Sequence, residues 1–257
     1  MKGKFQYLAS PILGLAIVGV FGQGIAQAAD HLNLEEGLPL EVEDAYPVPY
    51  QGRELQGVFK YERTEEGEDR FVIEPRIEYG FAPNWQGKIT VPFEFGSGGD
   101  DGLGDVGLEV FYNFNTETLS TPAFAASLSV DLPTGEDSAG IDPTLKLIAT
   151  KTLGKGSNLD RLNLNVSYTL NDQRQSGERS DRFAAVLGYG RRLNSETMLL
   201  TDLVFEQEDE EDKEAFIMEV GLRYQLTPLN VLAIGGGIGL SEESPDFRIT
   251  AGFQQSF

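Results

Sequence analysis

The sequence predicts an all-β protein: a transmembrane up-and-down antiparallel β-barrel of about twelve strands, with ten as the alternative count. Three observations point to it. Period-two alternation of apolar and polar residues begins after Gly52 and continues to the end of the chain. The last stretch, Ser244 to Phe257, puts Phe247, Ile249, Ala251 and Phe253 on one pleat face, puts Arg248, Thr250, Gly252 and Gln254 on the other, and stops on an aromatic residue. The connections between alternating runs are of two kinds, tight and acidic, which take turns along the chain. A soluble β-sandwich alternates too, because two inner faces fill one thin core. The end of the chain and the connections are what favour an apolar face turned to lipid and a polar face lining a lumen.

Residues 1–28 stand apart from this pattern. Lys2 and Lys4 precede an apolar stretch from Leu8 to Phe21, and Ala26-Gln27-Ala28 has the small-x-small form of a cleavage site, so a secretory signal peptide is expected. Ser10, Pro11 and the glycines within the stretch argue against a retained membrane helix. Removing these residues takes away two lysines and no acid, moving the formal charge from −21 to −23. Nucleic acid is thereby excluded as a partner, because phosphate binding needs a basic footprint. With no cysteine, the fold cannot use disulfides or thiolate metal sites. No later stretch approaches the roughly 18 apolar residues of a membrane helix, so any membrane crossing falls to strands.

Residues 29–52 form an acidic arm in which Pro39, Pro47 and Pro49 discourage both helix and central strand. Such an arm can hang free in the periplasm or fold back as a plug, and both remain open at this point. The barrel is assigned to residues 53–257, with runs at 54–63, 68–81, 85–96, 104–114, 120–132, 143–153, 159–170, 181–193, 196–207, 213–226, 229–240 and 246–257. The third run sets Trp85, Ile89, Val91, Phe93 and Phe95 against Lys88, Thr90 and Glu94, and the fourth sets Val106, Leu108, Val110, Tyr112 and Phe114 against Asp105, Glu109 and Asn113. The seventh is the cleanest: Leu162, Leu164, Val166, Tyr168 and Leu170 oppose Arg161, Asn163, Asn165, Ser167 and Thr169. In the tenth, Phe216, Met218, Val220, Leu222, Tyr224 and Leu226 oppose Glu219, Gly221, Arg223 and Gln225. The ninth and eleventh are less regular, and Met198, Leu200 and Val204 demand that part of the interior be apolar.

Tight turns follow runs 2, 4, 8 and 10, namely Ala82-Pro83-Asn84, Asn115-Thr116-Glu117, Asn194-Ser195 and Thr227-Pro228, and Gly154 to Asn158 follows run 6. Acid collects after the odd-numbered runs: Glu65, Glu66, Glu68 and Asp69; Asp100 and Asp101; Glu136, Asp137 and Asp142; Asp172, Glu178 and Asp181; Glu208 to Asp212 and Glu214; and Glu242, Glu243 and Asp246. An even-stranded up-and-down barrel places all of these at one end and both termini at the other. The acidic end is assigned to the cell exterior and the tight end to the periplasm.

The inward face carries both signs of charge. Arg182, Glu219, Arg223 and Arg248 are the candidates for lining a lumen, while pairs such as Asp105 with Glu109 and Asp202 with Glu206, set among Lys88, Lys146, Arg161 and Arg192, suggest ion pairs knitting a polar interior. Glu74, Arg76 and Glu78 on one strand face make the same suggestion. Glu208, Asp209, Glu210, Glu211 and Asp212 are weak candidates for a divalent cation, a solvated loop being the simpler reading. The glycine- and aspartate-rich Gly96 to Asp105 reads as a hairpin loop in preference to a calcium loop, which needs a fixed ligand order. The only histidine, His31, precedes the first strand, so histidine-based hydrolysis inside the barrel has no base. No enzyme activity and no cofactor are expected.

Gly102 to Asn115 (GLGDVGLEVFYNFN), Leu128 to Glu136 (LSVDLPTGE), Asp142-Pro143 with the strand ending Lys151-Thr152-Leu153-Gly154, Pro245-Asp246-Phe247, and the arm segments Gly37-Leu38-Pro39 and Glu43 to Pro47 together resemble the outer-membrane family of the MetA pathway of phenol degradation. The terminal Phe257 likewise resembles the insertion signal of bacterial outer-membrane barrels. The resemblance implies a Gram-negative outer-membrane protein that contacts outer-membrane lipid, engages the barrel assembly machinery through its C-terminal strand, and passes small solutes, aromatic ones among them. It brings no set of catalytic residues. The alternative is a sealed, non-transporting barrel that displays acidic loops to cations or to a partner.

Overall fold

A computed structural model describes residues 29–257 except 65–66, 98–100, 136–139, 154–158 and 174–176. The expected signal peptide, the Gly154 to Asn158 turn and part of the Gly96 to Asp105 loop lie outside the described residues. The alternating runs form twelve staves: β1 (Arg53–Arg63), β2 (Asp69–Ala82), β3 (Trp85–Thr90, resumed at Phe93–Gly96), β4 (Gly102–Leu103, resumed at Val106–Asn113), β5 (Ala123–Leu132), β6 (Asp142–Thr152), β7 (Asp160–Leu170), β8 (Asp181–Arg192), β9 (Thr197–Gln207), β10 (Glu214–Thr227), β11 (Asn230–Gly239) and β12 (Phe247–Ser256). Each is antiparallel to its neighbours in the chain, and β1 pairs with β12 from Glu54↔Ser256 to Arg63↔Phe247, which closes the barrel.

Two departures from the runs have local causes. Pro92 cannot donate to a ladder, so β3 breaks there, and the Gly104 N–H bonds the Pro92 carbonyl at 2.9 Å where β4 is also interrupted. The fifth stave starts at Ala123 and not at residue 120, because Asn115 holds the preceding loop in place: its amide donates to the Pro122 carbonyl at 2.8 Å and its Oδ1 accepts from the Phe124 N–H at 3.0 Å. The predicted turn at residues 115–117 is therefore a longer loop.

The outward faces are apolar along their length, with Ile77, Leu128, Leu147, Val220 and Ile234 among many large hydrophobic residues left exposed. In water so broad an apolar surface marks a membrane or partner contact; on a closed barrel it is the lipid belt. Aromatic side chains gather at both of its margins. At the tight-turn end Trp85 lies 4.5 Å from Tyr112, which meets Phe114 edge-on at 5.1 Å. At the loop end Phe71 stacks on Phe95 at 5.4 Å and lies tilted against Tyr61 at 4.9 Å, while Phe205 and Phe216 lie 4.9 Å apart. Amphipathic rings at both interfaces are the girdles that such barrels use to settle at the headgroup level.

The true hydrophobic core lies inside the barrel. Leu34, Leu40 and Val42 of the arm pack on Val186, Met198, Leu200, Val204 and Ile217 of the wall; Ala45 packs on Phe111, Ala123, Ala125 and Ile148; and Leu38 packs on Val58 and Ala233. The inward Met198, Leu200 and Val204, which break the polar pattern of β9, are thus the seat of the arm.

Candidate functional site: a lumen occupied by the arm

The arm enters and leaves at the tight-turn end, where the Ala29 N–H bonds the Pro228 carbonyl at 2.9 Å and the Gln51 N–H bonds the Gly80 carbonyl at 2.7 Å. Between these points it makes few backbone pairs of its own, so wall side chains must satisfy its buried polar backbone. The Val42 N–H donates to Asp202 at 3.0 Å, the Glu43 N–H to Asn165 at 2.7 Å, the Ala45 N–H to Thr150 at 2.8 Å and the Val48 N–H to Gln86 at 2.6 Å. Asn165 and Asn113 return bonds to the Glu43 and Ala45 carbonyls at 2.8 and 2.7 Å. Where the arm lies flat on the wall, the inward residues of the staves are glycines: Gly188 under Val42, Gly221 under Pro39, and Gly252 under Leu38.

Charges are matched in the same way. Arg161 pairs with Asp44 at 2.7 Å and lies over the Tyr46 ring at 5.2 Å; Lys146 pairs with Glu43 at 2.9 Å and with Glu36; Lys60 and Arg248 meet Glu41 at 2.7 and 2.9 Å. Burial pushes the Glu41 carboxyl up, but Lys60 and Arg248 outweigh it and hold the group down at about 2. For Asp44 burial wins over Arg161, and its carboxyl is pushed up to about 6. Burial and the neighbouring Glu78 and Glu43 raise Glu35 well above the usual carboxylate range.

Beyond the arm, towards the acidic loops, lies a cavity of about 1080 Å³. Glu36 and Glu41 stand at its floor, and Arg70, Glu94, Arg182 and Arg248 are among its walls. A smaller one of about 390 Å³ lies at the tight-turn end between Tyr46 to Tyr50 and the turn residues Pro83 and Asn84. The arm stands between the two.

All four residues read as lumen candidates point inward, and the arm divides them. Arg182 and Arg248 line the large cavity, the former 3.0 Å from Asp209 and the latter 2.6 Å from Glu62. Glu219 accepts from the Glu41 N–H at 3.3 Å and is almost wholly enclosed. Arg223 has no exposed surface: it donates to the His31 carbonyl at 3.1 Å, to the Leu38 carbonyl at 2.8 Å and to Gln254. Asp105 and Glu109 do not act together, since Asp105 accepts from the Thr134 and Gly135 N–H groups at 3.1 and 2.9 Å while Glu109 pairs with Lys88 at 3.0 Å. Among the described residues Asp202 makes no ion pair with a cation; it holds Val42, and Glu206 faces Arg248 at 3.9 Å. Glu74 and Arg76 pair at 2.5 Å. In the Glu208 to Asp212 run, Asp209 pairs with Arg182 and Glu210 with Lys213, each at 3.0 Å. His31 sits where the arm enters, its Nδ1 3.0 Å from the Gln225 Oε1. The sequence reading did not anticipate the arm's own acids, Glu35, Glu36, Glu41, Glu43 and Asp44, as partners of the wall. The trace they left is the row of inward glycines on β8, β10 and β12 and the apolar interruption on β9.

Residues 72–257 match the family described as "Putative MetA-pathway of phenol degradation". The chain belongs to this family. No curated protein matches it. Among solved structures, the COG4313 outer membrane channel from Pseudomonas putida F1 superposes with a TM-score of 0.64 at 16% identity, over 87% of this chain and 100% of that one. The NanC porin gives 0.58 at 13% identity over 79% and 98% of the two chains, and the KdgM porin in complex with disordered oligogalacturonate gives 0.55 at 11% over 79% and 99%. At these identities the likeness is one of fold: this member of the phenol-degradation family is a closed twelve-stranded barrel of the outer-membrane type.

Proposed function

We propose that the protein is a non-enzymatic outer-membrane channel for small solutes, gated by its own N-terminal arm. The observation that carries this is the charged cavity of about 1080 Å³ that reaches from the acidic loops to Glu36 and Glu41 and stops at the arm. In this reading the chain is exported by its signal peptide, assembled through the C-terminal strand by the barrel assembly machinery, and oriented with its acidic loops outside. Channel and porin folds among its structural neighbours support the transport role, and the family's description supports small aromatic solutes. Acid at the outer mouth enriches cations over anions within a Debye length, roughly 8–10 Å, so neutral and cationic solutes pass more readily. Should the arm swing aside, Met198, Leu200, Val204 and Ile217 form an apolar strip suited to an aromatic ring.

The many bonds between arm and wall favour a second reading, a permanently sealed barrel. Planar-bilayer conductance separates the two. The channel reading expects small, cation-selective openings from the mature chain and larger ones when residues 30–52 are removed. Electrical silence of both proteins, with no solute flux into liposomes, would leave the sealed barrel.

A further inference from the structure

Beneath the arm, away from the large cavity, three acids from different segments converge. Glu35 of the arm, Glu54 of β1 and Glu78 of β2 are 2%, 5% and 1% exposed, and each offers a carboxylate oxygen within 4.8 Å of the other two. Register explains two of them, since Glu54 lies directly opposite Glu78 in the β1–β2 ladder; the arm delivers the third. Proximity alone would mean little. What singles the group out is that both oxygens of Glu78 and Oε2 of Glu35 accept no hydrogen bond, although they are closed off from solvent. The amide of Gln56, the next inward residue after Glu54 on β1, is fully buried with neither atom partnered.

Among the described residues no lysine or arginine makes an ion pair with any of the three, and the nearby ones bond other groups. Lys88, opposite Glu78 in the β2–β3 ladder, pairs with Glu109 at 3.0 Å; Arg76 pairs with Glu74 and the Glu36 carbonyl; Arg223 reaches Glu54 only through Gln254, whose amide donates to Glu54 at 2.6 Å. An isolated buried carboxylate is costly, and three together are tolerated only with protons or a bound cation.

We propose that Glu35, Glu54 and Glu78 bind one divalent cation of the calcium class, pinning the arm to the barrel wall. The donors are all oxygen, which suits hard cations better than zinc or copper, whose sites favour nitrogen and sulfur. Calcium places its ligands at about 2.3–2.6 Å in flexible geometry, so oxygens up to roughly 4.8 Å apart can share one ion. Magnesium, which needs a tighter octahedron at about 2.0–2.1 Å, fits less well.

The test uses the full mature chain folded in detergent, stripped with EGTA and titrated with calcium chloride in a calorimeter and by equilibrium dialysis. One saturable calcium ion is expected, with weaker binding of magnesium. Glu78→Gln and, on the arm, Glu35→Gln should each weaken it by at least tenfold, with folding verified by heat-modifiable migration. Because Glu35 lies outside the barrel wall, its variant remains informative if Glu78→Gln does not fold. A variant with Asp209→Asn, Glu210→Gln, Glu211→Gln and Asp212→Asn should keep the ion, since it alters only the exposed loop. Absence of saturable binding, which would mean a protonated cluster, overturns the proposal; so does binding that survives Glu35→Gln or is lost in the loop variant. None of these measurements depends on whether the barrel conducts.

Discussion

Asp44 has no exposed surface and, among the described residues, one ion-pair partner, Arg161 at 2.7 Å. Replacing Arg161 with Met strands a buried carboxylate, a change that costs about 3–5 kcal/mol. The barrel ladder does not involve either side chain, so the loss should fall on arm docking: limited proteolysis of the arm should accelerate while the barrel still migrates as a folded species. The arm acids also make docking depend on pH, in opposite directions. Glu41 is lowered in the docked arm, so its contribution is complete above the ordinary carboxylate range and is lost as pH falls towards about 2. Asp44 and Glu43 are raised in the docked arm, which then holds more protons than the free arm; docking therefore weakens as pH rises, for Asp44 from its ordinary range up to about 6. Exchange of the Val42 and Glu43 amides, corrected for its intrinsic pH dependence, should be slowest near about pH 4, faster below it as Glu41 is protonated, and faster again as pH rises to about 6 and Asp44 ionises. Glycine at 188 is a steric requirement, because a Cβ there would lie 2.2 Å from Val42 Cγ2. Gly188→Ala should shift the arm and raise conductance, with a change of about 1–3 kcal/mol in docking and little in barrel unfolding.

At the scale of the element, the staves and the arm obey different rules. A stave satisfies its backbone through its ladders and needs only the right residue on the right face. Ile234 is outward and 58% exposed, four residues up β11 from the tight-turn end, hence near the middle of the lipid belt. Ile234→Lys should cost about 2–4 kcal/mol in urea-unfolding measurements in lipid, whereas a lysine at an outward residue nearer the girdle, such as Leu232, should cost less. The arm is held by side chains from all round the barrel. Its sequence still shows why it lies in the bore, for Leu34, Leu38, Leu40 and Val42 are too apolar to remain in water, but nothing in it indicates which stave each residue will meet. The irregularities on β3 and β4 were half legible: Pro92 predicts a broken ladder, while the hydrogen bond that carries the strand past it comes from Gly104, on the next stave.

For the molecule as a whole, closure of β1 on β12 with an apolar exterior predicts resistance to SDS at room temperature and a shift in migration on boiling, measurable on a gel. Neutralising Glu208 to Asp212 at the loop end should reduce any cation preference of the conductance without changing that shift. Alternation along a strand is a local property, with a period of two residues and one buried polar face. A single sequence was therefore enough to identify the barrel class and the alternation of its two faces. Whether an inward residue meets water or protein is another matter. The contacts that cover Glu219 and Arg223 join arm residues to wall residues far away in the chain, as Glu43 is joined to Asn165 across 122 positions and Val42 to Asp202 across 160. No periodicity carries that information, because the arm repeats nothing and has no ladder to set its register. Only the closed barrel, by placing staves from every part of the chain around one bore, decided where the arm would lie, and with it which charges face the open cavity and which three carboxylates come together.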